Sequence, residues 1–333
     1  MNNLIIIVLV LVLVLIRSYS SSNVIDRKLE HHNAVPIPML SVTIATDVNN
    51  YLIRLLNSID YPISNIRISI GNDNETFIKS CLDVIEHVKS NRSSYFYKAV
   101  LDINTINHNP GSANGFNYGL HGMMNINSTW VLIINSDIAF YPGILKKISR
   151  ETERSLAHID TFGIGFTSLC CGGEWSAVIF TRRLVERIGY MDENFYPAYY
   201  EDDDYAIRIH YSGYKAIRYA DTPLLHGEID GSKDYASGIF KELYWKPKND
   251  DATKRWKKMF EFGVKTSTKY IASKWGLSFI GKSNKLQLDC KTVIAINKIC
   301  KTPYTIPFNN SNHNLSYWNL DINIRNSIIA AGK

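Results

Sequence analysis

WVLIINSD, residues 130–137, begins with the most apolar of the strand-like runs in this sequence. A strand that is apolar on both sides is typical of the centre of a parallel sheet, where helices cover both faces. The run therefore predicts a buried central strand. Asn135 and Asp137 follow the apolar residues and are separated by one position, so their side chains point to the same side of the chain. Amide and carboxylate oxygens at that spacing can ligate a hard cation, and an aspartate that only shapes a turn is the alternative.

Strand-like and helix-like segments alternate on both sides of this run. The predicted strands are residues 39–45, 66–70, 97–101, 162–166, 175–181 and 214–219, and the predicted helices include residues 51–56, 75–88 and 184–188. This alternation predicts an α/β fold with a mostly parallel central sheet and helices on both faces. Ligands of such sheets bind beyond the carboxyl ends of the strands. We therefore expect Thr46, Asp47 and Asp73, which follow the first two strands, to face one site.

A run dense in small residues, residues 109–119, precedes the central strand and opens a helix. It reads NPGSANGFNYG. Its glycines would allow the backbone to come close to a bound phosphate or sugar. Close packing of the helix on the sheet is the alternative interpretation, and this run alone favours neither.

Four consecutive acids, Glu201, Asp202, Asp203 and Asp204, lie between an aromatic run and a short helical pattern at residues 205–209. One or two acids at the start of a helix are ordinary, because free backbone N–H groups and the helix dipole favour negative charge there. Asp204 also has the spacing of a helix-surface ion pair, with an arginine four residues later. Four adjacent carboxylates under tyrosines repel one another, and this cost favours a function in cation binding or proton transfer.

The C-terminal region of the chain carries one candidate ligand and a basic segment. His226 follows a short apolar run near a predicted strand end, where its imidazole could bind a metal or a phosphate in the same cleft, although a lone histidine is more often structural. Residues 241–276 are basic and aromatic. A solvated helix face is the default interpretation of that segment, and contact with a membrane or an anionic ligand comes second.

The composition narrows the classes of partner. With 45% hydrophobic and 20% charged residues, the chain is typical of a globular protein. A net charge of +6 fits anionic small ligands or a membrane surface. The sequence shows no RNA- or DNA-binding module, which argues against nucleic acid as a partner.

The N-terminus predicts entry into the secretory pathway. Residues 4–16 form an uninterrupted apolar run whose length as a helix, ~20 Å, is short of a ~30 Å bilayer core. We expect residues 1–20 to be a signal peptide or a short signal-anchor, followed by a polar stem at residues 21–37, and the protein to reach the ER or Golgi lumen, membrane-anchored or secreted. Five cysteines leave at least one unpaired, and Cys290 and Cys300 are close enough in sequence for a local disulfide. Candidate glycosylation sequons agree with this context and lie at Asn74, Asn91, Asn127, Asn309 and Asn314.

Taken in order, these segments resemble the family 2 glycosyltransferases, enzymes of GT-A fold that use nucleotide-diphosphate sugars. Residues 71–74 stand where the family has an Asp-Asp-Gly, and Asn109, Gly111, Asn117 and Gly119 match its repeated Asn-x-Gly. Residues 135–137 replace the Asn-Pro-Asp of the rhamnosyltransferase-like branch, a variant of the Asp-x-Asp metal motif. Residues 189–204 resemble the acceptor segment with its Glu-Asp-x-Asp, and residues 270–276 echo a Lys-Trp-Gly stretch of some members. Each motif is weak alone, and their order carries the resemblance.

The resemblance implies a function and a set of site residues. The catalytic domain would span residues 38–240, with residues 241–333 as a basic and aromatic helical extension. It would transfer a sugar from a UDP-, GDP- or TDP-linked donor to a glycan, lipid or protein acceptor, with inversion, and the enzyme could associate with a membrane. Asp202 would be the base, with Glu201 and Asp204 as second choices. Mn²⁺ or Mg²⁺ would be held by Asp137, Asn135 and His226, and the substrate by Thr46, Asp47, Asp73, Asn109, Gly111, Asn117 and Trp175.

Two other functions remain open. Trp175 and the tyrosines before the acids would stack on sugar rings or would pack the core. The chain could also be a catalytically inactive GT-A-fold protein that binds carbohydrate or nucleotide. A nucleotidyltransferase with a similar sheet is disfavoured, because no glycine-rich triphosphate loop with Arg or Lys lies near the N-terminus.

Overall fold

The computed structural model describes residues 35–44, 49–90, 95–169 and 174–226, and in a C-terminal helical segment residues 263, 265–271 and 274. From Ile37 onward the described residues belong to one compact unit. Several predictions lie outside the described residues: the leader at residues 1–20, the stem up to residue 34, Thr46, Asp47, and the pair Cys290 and Cys300. Within the described residues, no helix combines the length and the apolar character needed to cross a membrane.

Strands and helices alternate along the described segments of the chain as the sequence predicts. The strands are β1 (Ile37–Ile44), β2 (Ile63–Gly71), β3 (Val100–Ile106), β4 (Trp130–Asn135), β5 (Ile138–Phe140), β6 (Phe162–Leu169), β7 (Ala177–Thr181) and β8 (Lys215–His226). The helices are α1 (Asn49–Asn57), α2 (Glu75–Ser90), α3 (Ser112–Asn125), α4 (Ile144–His158), α5 (Arg182–Ile188) and α6 (Glu201–Ser212).

These strands form one sheet in the order β3-β2-β1-β4-β7-β6-β8-β5. The pairs β1–β2, β1–β4, β2–β3 and β6–β8 are parallel, whereas β4–β7, β6–β7 and β5–β8 are antiparallel. The predicted α/β class is therefore confirmed. The strand order reverses between β1 and β4, the kind of switch point at which open α/β sheets bind ligands.

Strand β4 is the centre of the core, as its apolar sequence predicts. Its side chains alternate between the two faces of the sheet: Trp130, Leu132 and Ile134 belong to one buried cluster, and Val131 and Ile133 belong to the other. Helices α1, α2 and α4 complete the first cluster, and helices α3, α5 and α6 complete the second. Both faces of β4 are thus covered, which explains why the strand carries no polar residue before Asn135.

Helix α3 lies close to the sheet because two of its glycines face β1. A Cβ on Gly115 would lie 2.8 Å from Oγ1 of Thr43, and a Cβ on Gly119 would lie 2.8 Å from Cβ of Ser41. Both distances are too short for a real side chain. For these two glycines, the small-residue run therefore serves helix–sheet packing.

The third strand begins later than the sequence predicts. The pattern predicts a strand at residues 97–101, but Tyr95–Lys98 form a 3₁₀ turn and β3 starts at Val100. Phe96 is fully buried, and the backbone N–H of Tyr95 donates to the carbonyl of Ile59 at 3.0 Å. Tertiary contacts thus override the strand preference of the aromatic residues in this turn.

Candidate active site

The ends of neighbouring strands bring most of the candidate residues to one edge of the sheet. Thr43 lies opposite Asn135, so the carboxyl ends of β1 and β4 meet there. The antiparallel strand β7 starts at the same edge, because Ala177 lies opposite Ile134. Asn135, Asp137 and Trp175 therefore share this edge of the sheet.

Strands β5 and β8 place His226 beside the same edge. Ile138, the residue after Asp137, lies opposite His226 in the antiparallel pair β5–β8. The side chain of His226 lies outside the described residues, so its backbone alone fixes this position. The register thus brings the backbone of His226 close to that of Asp137, so that two of the three predicted metal ligands are neighbours.

The N-terminus of α3 connects this edge to the segment that precedes the acids. Gly115 packs against Thr43, and one turn earlier the backbone N–H of Ser112 donates to the carbonyl of Pro197 at 2.7 Å. The hydroxyl of Tyr196 donates to the carbonyl of Asn109 at 3.0 Å. The four acids that follow, Glu201 to Asp204, form an acidic turn. This turn therefore lies at the same edge of the sheet as Asp137.

Gly111 is the glycine of the small-residue run that the backbone conformation requires. Its φ is +81°, and a Cβ would lie 2.8 Å from the ring of Tyr196. Its N–H donates to Oδ1 of Asn109 at 2.9 Å. Gly111 and Asn109 thus shape the loop that receives Tyr196, next to the predicted substrate site.

The acids form the first turn of α6, four residues earlier than the helix that the sequence predicts. The two residues before them, Tyr199 and Tyr200, have φ values of +78° and +70°. Left-handed backbone at a residue that is not glycine costs of order 1 kcal/mol and persists where the surroundings enforce it. Two such residues in succession bend the chain sharply just before the carboxylates.

Glu201 is the most deeply buried acid of this turn that has no cationic partner among the described residues. Its side chain is 6% exposed, and its Oε2 makes no hydrogen bond within the described residues. Burial, and then the charge of Asp202, raise the pKa of Glu201 to about 8, against a hydrogen bond with Ser112 that lowers it. We therefore expect Glu201 to be mostly protonated at neutral pH.

Asp202 and Asp203 are half-buried and titrate above the usual range of aspartate. Burial raises the pKa of Asp202, while backbone N–H groups oppose the rise, and the N–H of Asp203 donates to its Oδ1 at 2.9 Å. Burial, followed by the charges of Asp202 and Asp204, raises the pKa of Asp203 to about 7. A carboxylate whose pKa lies near the working pH is suited to proton transfer.

Asp204 forms the predicted pair with Arg208, but the pair is buried. Nε of Arg208 lies 3.1 Å from Oδ2 of Asp204, and both side chains are almost completely inaccessible. The expectation of a helix-surface pair is wrong in this respect, because the ammonium of Lys274 covers the other carboxylate oxygen, Oδ1, at 2.7 Å. With a cation on each oxygen, Asp204 is better suited to a structural role than to proton transfer.

The donor atoms at the end of β4 fit a hard divalent cation in chemical type. Asp137 is half-buried in the turn after β4, and Nη2 of the buried Arg54 donates to its carbonyl at 2.8 Å, which fixes the backbone of this turn. Carboxylate, amide and imidazole are donors that Mn²⁺ accepts, and Mg²⁺ prefers the oxygens. Among the described residues, which do not include the side chain of His226, no group of three His, Cys, Asp or Glu side chains could hold a metal.

The side chain of Asn117 makes its hydrogen bonds with other residues inside the protein. Its Nδ2 donates to the carbonyl of Met191 at 3.0 Å and to Oε1 of Glu193 at 2.8 Å, and its Oδ1 accepts from the N–H of Met191 at 2.8 Å. The side chain is 2% exposed. This arrangement favours a role in holding the loop before the acids over contact with a substrate.

Asp73 and Trp175 differ in their surroundings. Asp73 is exposed beyond β2, in a turn where the N–H of Asn74 donates to Oδ1 of Asn72 at 2.9 Å. Trp175 is half-buried, and its ring lies 5.2 Å from that of Phe166. Asp73 is therefore accessible to a nucleotide, whereas much of the indole surface packs the core.

Three residues of this region, Ser112, Asp192 and Lys274, are not selected as site residues from the sequence. Ser112 contacts Glu201, and Asp192 accepts hydrogen bonds from Tyr270 and Lys274 in the C-terminal helical segment. For Lys274 a signal exists, because residues 270–276 echo a stretch of the family. Asp192 and Ser112 lie in motifs that carry the resemblance, but nothing in the local pattern distinguishes them.

Fold and site together define an α/β protein with a cluster of buried carboxyl groups beside the switch point of its sheet. No protein-family model matches the sequence, and no curated protein matches it. Among solved structures, it is similar to Staphylococcus aureus TarS 1–349 in complex with UDP, with 13% identity, 73% of this chain and 72% of that chain covered, and a TM-score of 0.43.

A second similar structure is glucosyl-3-phosphoglycerate synthase from Mycobacterium tuberculosis in complex with Mn²⁺, UDP and glucosyl-3-phosphoglycerate. The identity is 10%, the coverage is 74% of this chain and 82% of that chain, and the TM-score is 0.42. A third is a putative nucleotide-diphospho-sugar transferase from Desulfovibrio desulfuricans G20, with 9% identity, 57% and 80% coverage, and a TM-score of 0.36.

Proposed function

We propose that the protein is a glycosyltransferase of GT-A fold that moves a sugar from a nucleotide-diphosphate donor to an acceptor hydroxyl, with inversion. The observation that carries this proposal is the position of the acidic turn, Glu201 to Asp204, at the edge of the sheet where Asp137 ends the central strand. In this proposal the acidic turn supplies the group that takes a proton, and Asp137 supplies a group that can hold a diphosphate-bound cation at the same switch point.

Asp202 is the base in this proposal. The two second choices, Glu201 and Asp204, are disfavoured by their surroundings, because burial raises the pKa of Glu201 to about 8 and both oxygens of Asp204 carry cations. The acceptor O–H gives its proton to the carboxylate of Asp202 while its oxygen bonds to the anomeric carbon. The bond from that carbon to the phosphate oxygen breaks, and the nucleoside diphosphate leaves with the electron pair.

The donor side of the site is formed by the ends of β1, β2 and β4. Asp137, Asn135 and His226 would hold Mn²⁺ or Mg²⁺, and the bound ion would neutralise negative charge on the leaving diphosphate. Thr46, Asp47 and Asp73 would contact the base and ribose. The buried Arg54 keeps the turn of Asp137 in place through its bond to the backbone carbonyl.

We also propose the boundaries of the catalytic domain and the cellular compartment of the enzyme. The catalytic domain spans residues 38–240, and the chain enters the secretory pathway through the apolar run at residues 4–16. These assignments rest on the sequence alone. The acceptor is a glycan, lipid or protein.

The test follows the release of nucleoside diphosphate from UDP-, GDP- and TDP-linked sugars, with Mn²⁺ and with chelator. We expect turnover with one donor class that chelator abolishes and that Asp202→Asn removes. Asp221→Asn is the control, since it deletes an exposed carboxylate in β8. If Asp202→Asn turns over like the parent, Asp202 is not the base.

An inactive binding protein would give another pattern. It would show no turnover with any donor, although a nucleotide would still raise the melting temperature in a thermal-shift measurement. That result would replace the proposed function.

A further inference from the structure

A buried cluster of four charges joins the C-terminal helical segment to the acidic turn. Nζ of Lys274 lies 2.7 Å from Oδ2 of Asp192 and 2.7 Å from Oδ1 of Asp204, and the Lys274 side chain is only 7% exposed. Arg208 holds the second oxygen of Asp204 and donates from Nη1 to the carbonyl of Tyr190 at 2.8 Å. Two carboxylates and two cations thus balance one another away from water.

The segment around Lys274 fits against the loop before the acids at several points. The hydroxyl of Tyr270 donates to Oδ2 of Asp192 at 2.8 Å, and its ring lies 5.0 Å from that of Phe195. Ile271 is fully buried in a cluster with Phe195 and Ile207. Tyr270 and Lys274 are four residues apart, so one helix face presents both donors to the same carboxylate.

The two acids that Lys274 contacts lie on either side of a strained segment of the chain. Tyr199 and Tyr200, the two residues in left-handed conformation, lie between Asp192 and Asp204 in sequence. Strained backbone persists when the structure on each side determines it. Lys274 bonds to an acid on each side of the strained pair, and so it fixes the path by which the chain enters α6.

A purely stabilising role explains such a cluster less well. Buried ion pairs stabilise a fold weakly, because the loss of hydration offsets the attraction between the charges, and apolar residues often replace them without loss. Buried charges can instead fix one arrangement of the groups that they join, as they do in some proteins. Asp202 lies in the same helical turn as Asp204, two residues earlier.

We infer that Lys274 is a positioning residue for sugar transfer: its ammonium ties the Asp192 loop to the first turn of α6 and thereby places the carboxylate of Asp202. This inference rests on the proposed function. The C-terminal helical segment, which follows the proposed catalytic domain in sequence, would then help to shape the catalytic site.

The experiment compares Lys274→Met with Lys269→Met, a change at an exposed position of the same segment. We expect Lys274→Met to lower kcat about 10- to 100-fold, the size of effect that a displacement of about 1 Å in a catalytic group produces. The KM for the donor and the affinity for its nucleoside diphosphate should stay unchanged. Lys274→Arg should restore some of the lost kcat, and Lys269→Met should behave like the parent.

A second variant covers the case in which Lys274→Met fails to fold. Asp192→Asn combined with Lys274→Met removes one charge of each sign and leaves the pair of Asp204 and Arg208. We expect this protein to fold and to keep the low kcat. A folded variant with parental kcat, or an equal loss of kcat and donor affinity, would overturn the inference.

Hydrogen exchange gives a readout that does not need turnover. Peptides that cover residues 192–204 should exchange faster in Lys274→Met than in Lys269→Met. Equal exchange in both variants would show that Lys274 does not hold this segment. If the parent protein releases no nucleoside diphosphate from any donor, the proposed function fails, and the exchange result still decides whether Lys274 orders the turn.

Discussion

Ile138 and His226 lie opposite each other in the antiparallel pair β5–β8, which sets the backbone of His226 beside the residue that follows Asp137. In sequence these positions are far apart, and β5 has only the residues Ile138–Phe140. This short strand is therefore the element that joins the two halves of the proposed metal site.

The pairing predicts a loss of metal affinity on removal of the imidazole. His226→Ala should weaken Mn²⁺ binding by at least about tenfold, since even partners outside the ligand shell contribute that much to metal sites. Titration calorimetry with Mn²⁺ in the presence of the nucleoside diphosphate measures it. His87→Ala, at an exposed position of α2, is the control. Equal affinity in both variants would remove His226 from the ligand set.

A pH dependence of stability follows from the burial of Glu201. Its pKa rises from 4.5 to about 8 on folding, so the folded state binds a proton that the unfolded state releases. The stability that this proton contributes is fully present below the pKa that Glu201 has in the unfolded state. It is lost as the pH rises through the pKa that Glu201 has in the folded state. Glu201→Gln keeps a neutral side chain at both pH values. We expect the unfolding free energy of the variant minus that of the parent to be larger at pH 9 than at pH 5, by ~1 kcal/mol or more. Urea denaturation at the two pH values measures this difference, and parallel curves for parent and variant would contradict it.

Replacing Asn117 distinguishes a structural role of this residue from a role in substrate binding. Asn117→Ala removes three hydrogen bonds that hold Met191 and Glu193, and each buried group left without a partner costs about 1–3 kcal/mol. We expect a lower melting temperature and an unchanged affinity for the nucleoside diphosphate in the variant that remains folded. Thermal shift with and without nucleotide gives both values. A loss of affinity at parental stability would return Asn117 to the binding site.

The distance between α3 and the sheet predicts the effect of one added methyl group. In Gly115→Ala the new Cβ would meet the side chain of Thr43 at 2.8 Å, and overpacking of this kind costs about 1–3 kcal/mol. Asn114→Ala changes the neighbouring position of the same helix and is the matched control. Chemical denaturation of the two variants measures the difference, and an equally stable Gly115→Ala would show that α3 can move away from β1.

The sequence predicts the fold well where local pattern determines structure. The apolar run of β4 places it at the centre because both faces of a central strand are covered, and the spacing of Asp204 and Arg208 predicts their ion pair. The same spacing does not reveal burial, because Lys274 reaches Asp204 from a distant segment. The shift of β3 has a similar cause, since the contact of Tyr95 with Ile59 overrides local preference.

In the candidate site, too, some residues can be predicted from local sequence and others depend on tertiary contacts. Residues at strand ends, such as Asn135 and Asp137, can be selected from sequence because the carboxyl edge of a parallel sheet is a predictable place. The contact of Ser112 with Glu201 depends on how the segment before α6 packs on the N-terminus of α3. No periodic pattern encodes that packing.

The enclosure of Asp204, Arg208 and Lys274 has a consequence for the solution conditions in which the protein can work. Dissolved ions weaken attraction between charges that face solvent, as in the pair of Lys147 and the exposed Asp221, but they do not enter a closed interior. The geometry of the acidic turn is thus insulated from ionic strength, and a change of electrolyte would act on substrate capture before it acted on the arrangement of the carboxylates.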